Sequence, residues 1–299
     1  LMYKMEDDYG MSYYLRGAKD YINNNLIFAE HQWKIVRING DGSTRIIYNG
    51  TCPNNSCTIN STGTSTQIGE YYWNSTYLDD AKYLGYMYGG ANGIASTQRD
   101  GSVSAAATYN ETSNNAKVTV DNWYSTNILS TDYKAYISDT LFCNDRQLGT
   151  EIGGAYGGLG YGSNDTFYVA YITSTSHIPT LKCGLQNDRF TVDDTIIGNG
   201  ALTYPVGLIT SHETYMAGLH EYYDNSTNYL YTNQSYWTST PFNFSPCDNV
   251  NVYNVNNNGS LWLDRSSYLI LHGIRPVLNL KSTITVTGTG TTTDPYVVE

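Results

Sequence analysis

Charge is scarce in this chain of 299 residues. Only 14% of positions are Asp, Glu, Lys or Arg, against about 25% in an ordinary soluble domain. Cations are the scarcer sign: 16 Lys and Arg face 27 Asp and Glu, a net charge of -11. A chain this acidic lacks the basic stripe that a phosphate backbone requires, so no nucleic-acid partner is expected. No apolar run approaches the ~20 residues of a membrane helix, so no membrane span is expected. Strong helix formers are not the abundant types, which argues against coiled coils and all-helical bundles. No internal repeat stands out, and no linker is evident before residue 282. The sequence opens on Leu1 without the basic-then-apolar start of a signal peptide, and reads as a portion of a processed or excised protein.

What is abundant is neutral polarity. The chain holds 30 Tyr and 30 Asn, about a fifth of all positions. The 14% aromatic content is too high for a chain that stays unfolded. A chain near this length folds as one large or two small domains and buries roughly three quarters of its unfolded surface. These features describe a folded, strand- and loop-rich protein.

Five cysteines are present: Cys52, Cys57, Cys143, Cys183 and Cys247. Cys52 and Cys57 flank Pro53-Asn54-Asn55-Ser56, a spacing open to a small disulfide or to two free thiols. No second pair completes a zinc site, and no metal is expected. Cys143 and Cys183 each lie beside an Asn-Asp-Arg element, and we expect them to pair. Cys247 is left over. Five reduced thiols in a cytosolic protein is the competing reading. Low Lys with abundant Asn, Ser, Thr and Tyr favours an extracellular surface. Asn-x-Ser/Thr triplets, as at Asn49, Asn60, Asn74, Asn164 and Asn225, arise by chance in such a composition and carry little weight.

The clearest local signal is a hairpin. Trp33 to Ile38 and Ser43 to Tyr48 alternate around Asn39-Gly40-Asp41-Gly42, with Ile35, Ile38, Ile46 and Tyr48 expected to face the core. A calcium loop at that turn would need a later Glu that is missing. Residues 49–75 read as loop, Leu78 to Met87 as a short helix, and Ser113 to Leu129 as a helix capped by Ser113 with Trp123 as a core anchor. Tyr204 to Ile209 reads as a buried strand. Thr210 or Ser211 then caps a helix to about Leu219, with Glu213 near its positive end. Tyr229-Leu230-Tyr231, Tyr236 to Thr240 and Ile274 to Leu280 read as strands. The glycine-rich run Gly153 to Gly162 lacks the Lys-Ser/Thr of a phosphate loop and reads as surface loop.

Catalytic signatures are absent from the pattern. His212-Glu213 followed by His220 has the wrong spacing for a zinc helix, because Met216 holds the second ligand position. No Gly-x-Ser-x-Gly elbow occurs, and no carboxylate pair stands out. We expect no enzyme activity and no cofactor. Binding vocabulary is richer: Tyr offers a rigid face and a hydroxyl, Asn and Ser adaptable hydrogen bonds. It is densest from 242 to 271, where Phe242, Asn243, Phe244, Asp248, Asn249, Asn251, Tyr253, Asn254, Trp262, Asp264, Arg265 and Tyr268 form the candidate ligand-binding set. Val252, Val255, Leu261 and Leu263 read as inward-facing.

An ordered series of motifs carries a resemblance. Tyr13-Tyr14-Leu15-Arg16-Gly17 and Phe28-Ala29 lead into the Trp33–Gly42 hairpin. Phe142-Cys143-Asn144-Asp145-Arg146, Leu202 to Thr210, Tyr236-Trp237-Thr238-Ser239-Thr240-Pro241 and Gly273 to Leu280 follow. Together they resemble a family of uncharacterised surface proteins of gut Gram-positive bacteria, some with pilin-like N-terminal segments. The Tyr-Trp-Thr-Ser-Thr strand, a variable stretch and Gly273-Ile274-Arg275 also resemble the end of a C-type-lectin-like fold. Formylglycine-generating enzymes and the variable proteins of diversity-generating retroelements share that fold. The resemblance implies an α+β, loop-rich fold of short antiparallel sheets with two or three helices, in which residues 1–281 form the ligand-binding domain and 282–299 a Thr-rich strand or tail. It implies a diversified face at 242–271 that meets a protein or glycan on another cell or phage surface. Trp33, Trp123, Trp237 and Arg275 would be scaffold, with the 33–48 hairpin pairing near 274–280. The calcium motif of sugar-binding lectins and the cysteine pair and copper site of formylglycine-generating enzymes are missing. A structural subunit of a pilus or surface filament is the alternative.

Overall fold

The computed structural model of the chain describes residues 2–59, 62–74, 81–88, 110, 112–147, 149, 166–170, 176–245, 249–265 and 270–299. Tight turns join the strands of the early chain into hairpins, Asp8-Tyr9 first, then Ala29-Glu30 with both residues at positive φ, then the Asn39–Ser43 turn. The strands are β1 (Met2–Asp7) with β2 (Gly10–Leu15), then β3 (Asn25–Phe28), β4 (His31–Ile38) and β5 (Thr44–Thr51). Gly42 closes the β4–β5 turn at φ 83, a conformation that costs glycine nothing. Short strands follow: β6 (Glu70–Tyr71), β7 (Met87–Tyr88), β8 (Thr112–Ser113), β9 (Phe142–Cys143), β10 (Thr166–Phe167) and β11 (Arg189–Phe190). The last third holds β12 (Tyr236–Ser245), β13 (Asn249–Val255), β14 (Leu261–Arg265), β15 (His272–Gly273), β16 (Val277–Leu280), β17 (Val286–Thr287) and β18 (Tyr296–Val298). Two α-helices lie wholly within the described residues, α1 (Asn115–Tyr124) and α2 (Ser211–Ala217). The fold is α+β and mostly sheet.

Two sheets carry the architecture. In the first, β16 pairs with β5 and β5 with β4, so the 33–48 hairpin does adjoin 277–280. The other edge of β4 is shared. β2 takes Arg37 and Ile38, β3 takes His31 to Lys34, and β18 and β17 extend beyond β3. The Thr-rich tail therefore belongs to this sheet. The second sheet runs β14-β13-β12-β15-β6, with β10 joining β12. β12 shifts register against β13 on both sides of Pro241, a residue with no N–H for the ladder.

The core lies between these elements. Ile46 and Ile47 are adjacent yet both fully buried, so β5 is covered on both faces. Trp33, Trp73 and Trp237 are buried, with Trp73 and Trp237 rings 5.9 Å apart. Trp123 packs as a half-buried anchor against His31, Trp33 and Tyr48. Arg275 is buried scaffold: it donates to Tyr48 O at 2.9 Å and Asn49 Oδ1 at 3.0 Å and lies 4.7 Å over the Tyr236 ring.

Several local expectations change. The α1 cap is Asn114, whose side chain accepts from Lys117 N at 2.7 Å, because Ser113 is held in β8 opposite Met87. Ile38 is exposed, because register shifts in the β4–β5 ladder rotate the strand end out of the core. Residues 206–209 are buried and Tyr204 and Pro205 half-buried, but they form no strand: Pro205 lacks a donor, and only Gly207 bridges to Val277. Tyr229 to Tyr231 form a turn region, not a strand. Residues 49–75 include β6 and the buried Trp73, and Ala81–Leu84 is a 3-10 turn where a helix was expected.

Candidate functional site

Helix α2 organises two different sites at its two ends. Its start is closed by the expected device. Thr210 accepts from Glu213 N at 3.1 Å and Glu213 returns the bond to Thr210 N at 3.0 Å. This places the Glu213 carboxylate in the interior, where Arg37 of β4 reaches it at 2.9 Å and Arg45 of β5 at 2.8 Å. Arg37 also holds Asp7 of β1 at 2.7 Å. Arg45 bonds Asn279 of β16 at 3.1 Å and also donates to Leu141 O. Burial alone would raise the Glu213 carboxyl, but the two guanidiniums outweigh it and hold it at about 2. Beside this seam lies a cavity of about 20 Å³, the size of a single water. Asp145 and His212 border it, with Nε2 and Oδ2 3.4 Å apart. Burial pushes the Asp145 carboxyl up, opposed by His212. Cys143 also borders it, locked in a disulfide. His212 and His220 thus belong to separate clusters, and among the described residues no group of three or more His, Cys, Asp or Glu side chains is placed to hold a metal ion.

The end of α2 faces the surface. Gly218 at φ 106 turns the chain out of the helix. Arg16 donates to the last carbonyls, Tyr215 O and Met216 O, each at 3.3 Å, a cation placed where the helix is negative. Its other amino group bonds His220 Nε2 at 3.2 Å. Tyr215 Oη lies 2.6 Å from His177 Nδ1, and the His220 ring meets the Tyr215 ring edge-on at 4.4 Å. Burial, then Arg16 and His177, hold His220 below its ordinary value. Glu221 accepts from the Tyr253 hydroxyl at 2.7 Å.

The next residues are aromatic and exposed. Tyr222 sits at φ 62, an unusual conformation for a bulky side chain. Its ring packs edge-on against Trp262 of β14 at 5.0 Å. Tyr222 is 67% exposed, Tyr223 73% and Trp262 37%. An Asn258 to Asp224 bond of 2.6 Å ties the neighbouring turn to the same rim. Exposed rings held in place by one another offer flat apolar faces edged with hydroxyls, suited to stacking on a ligand.

The expected ligand set divides on this structure. Phe242, Asn243, Phe244, Asn251, Tyr253 and Asn254 are buried. The reason is topological: β13 lies between β12 and β14 and is covered on both faces. Phe242 and Tyr253 pack at 5.2 Å in a small core with Ala170 and Leu261, and Asn251 bonds Asn243 at 2.7 Å. These six are scaffold rather than exposed face. Trp262 alone of the described side chains in the set is exposed. The backbones of Asn249, Asp264 and Arg265 lie in β13 and β14, but their side chains lie outside the described residues, as do Asp248, Tyr268 and Cys247. The glycine-rich stretch 153–162 also lies outside them. Arg16, His177, His220, Tyr222 and Tyr223 were not anticipated as a site. The one usable signal was the Glu221-Tyr222-Tyr223-Asp224 run directly after a helix.

Two disulfides are present. Cys143 pairs with Cys183 as expected, with Cα atoms 5.6 Å apart, and Cys52 pairs with Cys57 at 5.1 Å. Such bonds persist in oxidising compartments, which fits a secreted or extracellular protein. No helix among the described residues is long and apolar enough to cross a membrane. No family model matches the chain, and neither a curated protein nor a solved structure matches it.

Proposed function

We propose that the chain is a non-catalytic extracellular recognition module of the adhesin type, built on a C-type-lectin-like scaffold, and that it binds a protein or glycan on another cell or phage surface. The observation that carries this reading is the solvent-facing pair of Tyr222 and Trp262 with Tyr223 beside it. A bulky residue at positive φ whose ring stays in water is costly to maintain for packing alone. The reading narrows the contact face to the exposed rim around Trp262, so diversification of 242–271 would fall on the rim and spare β13. The test is binding of fluorescent protein to cell panels and glycan arrays. Trp262→Ala and Tyr222→Ala should abolish binding that wild type shows while leaving the melting temperature near wild type. Unchanged binding in both variants overturns the assignment.

A second reading, a structural subunit of a pilus or filament, draws on β1. This outer strand exposes Met2 and Tyr3, and beyond a single bridge from Asp7 to Leu181 its outer edge pairs with no strand among the described residues, a template for pairing with another copy. Ordered polymers of purified protein in electron micrographs would favour it.

A further inference from the structure

The shared edge of β4 creates a second feature. β2 pairs with β4 only at Tyr13 and Tyr14, then leaves it. The cause is α2: Arg16 is drawn to the helix carbonyls, and Gly17 N donates to Ala217 O at 3.2 Å. The β3 side stays attached, with Asn24 exchanging bonds of 2.9 Å with Ile35 N and Ile35 O. The sheet therefore forks over Ile35, and a groove of about 380 Å³ opens between the arms. Both outer strands reach it, β1 through Met2 and β17 through Val286, so the arms curl toward each other.

The groove has the character of a ligand site. Its volume falls within the roughly 300–1,000 Å³ of small-molecule pockets. Leu15, Ile35, Ile284 and Tyr296 form walls that remain only half-buried, while Met2 is 58% and Val286 43% exposed at the rim. The charged residues of the lining are Arg37 and Lys281, with no carboxylate among them, in a chain of net charge -11. Arg37 is engaged by Asp7 and Glu213. Lys281 is exposed, and among the described residues its ammonium has no hydrogen-bond or ion-pair partner. An apolar trough with one available cation at its mouth is complementary to an apolar tail with an anionic head.

We propose that this groove binds an anionic amphiphile, an alkyl carboxylate of medium length, with its chain over Ile35 and its carboxylate at Lys281. The site is separate from the Trp262 rim and does not depend on the recognition reading. The test uses dodecanoate below its micelle concentration, followed by calorimetry with the intact protein. Dodecanoate should bind, and decanoate about 15-fold more weakly, as two fewer methylenes at about 0.8 kcal/mol each require. Lys281→Glu should weaken dodecanoate at least tenfold and leave dodecanol unchanged. Val286→Trp, a change at an exposed rim position, should block both ligands without moving the melting temperature. No binding of dodecanoate, or binding indifferent to both substitutions, overturns the proposal. So does a monomer–dimer equilibrium that Val286→Trp abolishes while dodecanoate stays unbound, since a second copy would then be the occupant.

Discussion

The two ends of α2 use the same kinds of side chain for opposite purposes. At the start, Arg37 and Arg45 meet Glu213 and Asp7 with all four groups buried, so each cation is matched by a carboxylate. At the end, Arg16, His177 and His220 gather around Tyr215 at a partly exposed surface, and Tyr222 and Trp262 lie in water beside them. The first arrangement ties β1, β4, β5 and α2 together. The second leaves aromatic rings in solvent, Tyr222 at 67% and Trp262 at 37% exposure. Burial and charge balance thus separate scaffold from site more clearly than residue type does.

That contrast can be broken from either side. The largest effect is expected at the seam. Glu213→Ala leaves two buried guanidiniums with fewer partners and should cost about 3–5 kcal/mol in chemical denaturation. A loss near that expected of an exposed residue would sink the contrast. Removing the Cys143–Cys183 bond with paired Ser substitutions frees a loop of sequence separation 40, and removing Cys52–Cys57 frees one of 5. Chain entropy predicts costs of about 4 and about 2 kcal/mol. Equal losses would show that strain or local packing, not loop closure, sets their value.

Acid should next distinguish His220 at the end of α2, together with His31 of β4, from Glu213 at the start. Burial holds both His31 and His220 below their ordinary value of 6.5, so the unfolded chain binds protons first. Stability from these groups is present above about 6.5 and is lost as pH falls through their folded values. Glu213, held at about 2 against an ordinary 4.5, contributes stability above 4.5 that is lost as pH falls toward 2. Melting temperature against pH should therefore lose its upper step in a His31→Asn, His220→Asn variant. Its lower step should shrink in Glu213→Gln. Profiles that superimpose on wild type would refute the assignment. The smallest stability effect belongs to the rim: Trp262→Ala should cost about 1 kcal/mol or less, the worth of one exposed ring pair. A larger loss would mark Trp262 as scaffold.

Much of the local structure was legible beforehand. The Asn39–Gly42 turn, the Thr210–Glu213 capping box, the Cys143–Cys183 pair and the β5–β16 neighbourhood all follow from short-range chemistry or motif order. The site was much less so. Tyr253 and Asn254 look like contact residues in a polar stretch, yet β13 is flanked by strands on both sides and covered above and below. Tyr222 looks like any loop tyrosine until Trp262, forty residues later, supplies its partner.

The sequence by itself determined the strand-rich character, the Asn39–Gly42 turn, the cap at the start of α2, the low charge and the cysteines available for pairing, because each depends on a residue and its near neighbours. Tertiary structure alone decided which Tyr and Asn meet water. It also decided that Arg37 and Arg45 converge on one carboxylate, and that β2 parts from β4 to open a groove over Ile35. Those outcomes depend on strand order and on long-range contacts such as Gly17 to Ala217. Side-chain alternation along one strand carries no information about what covers its second face.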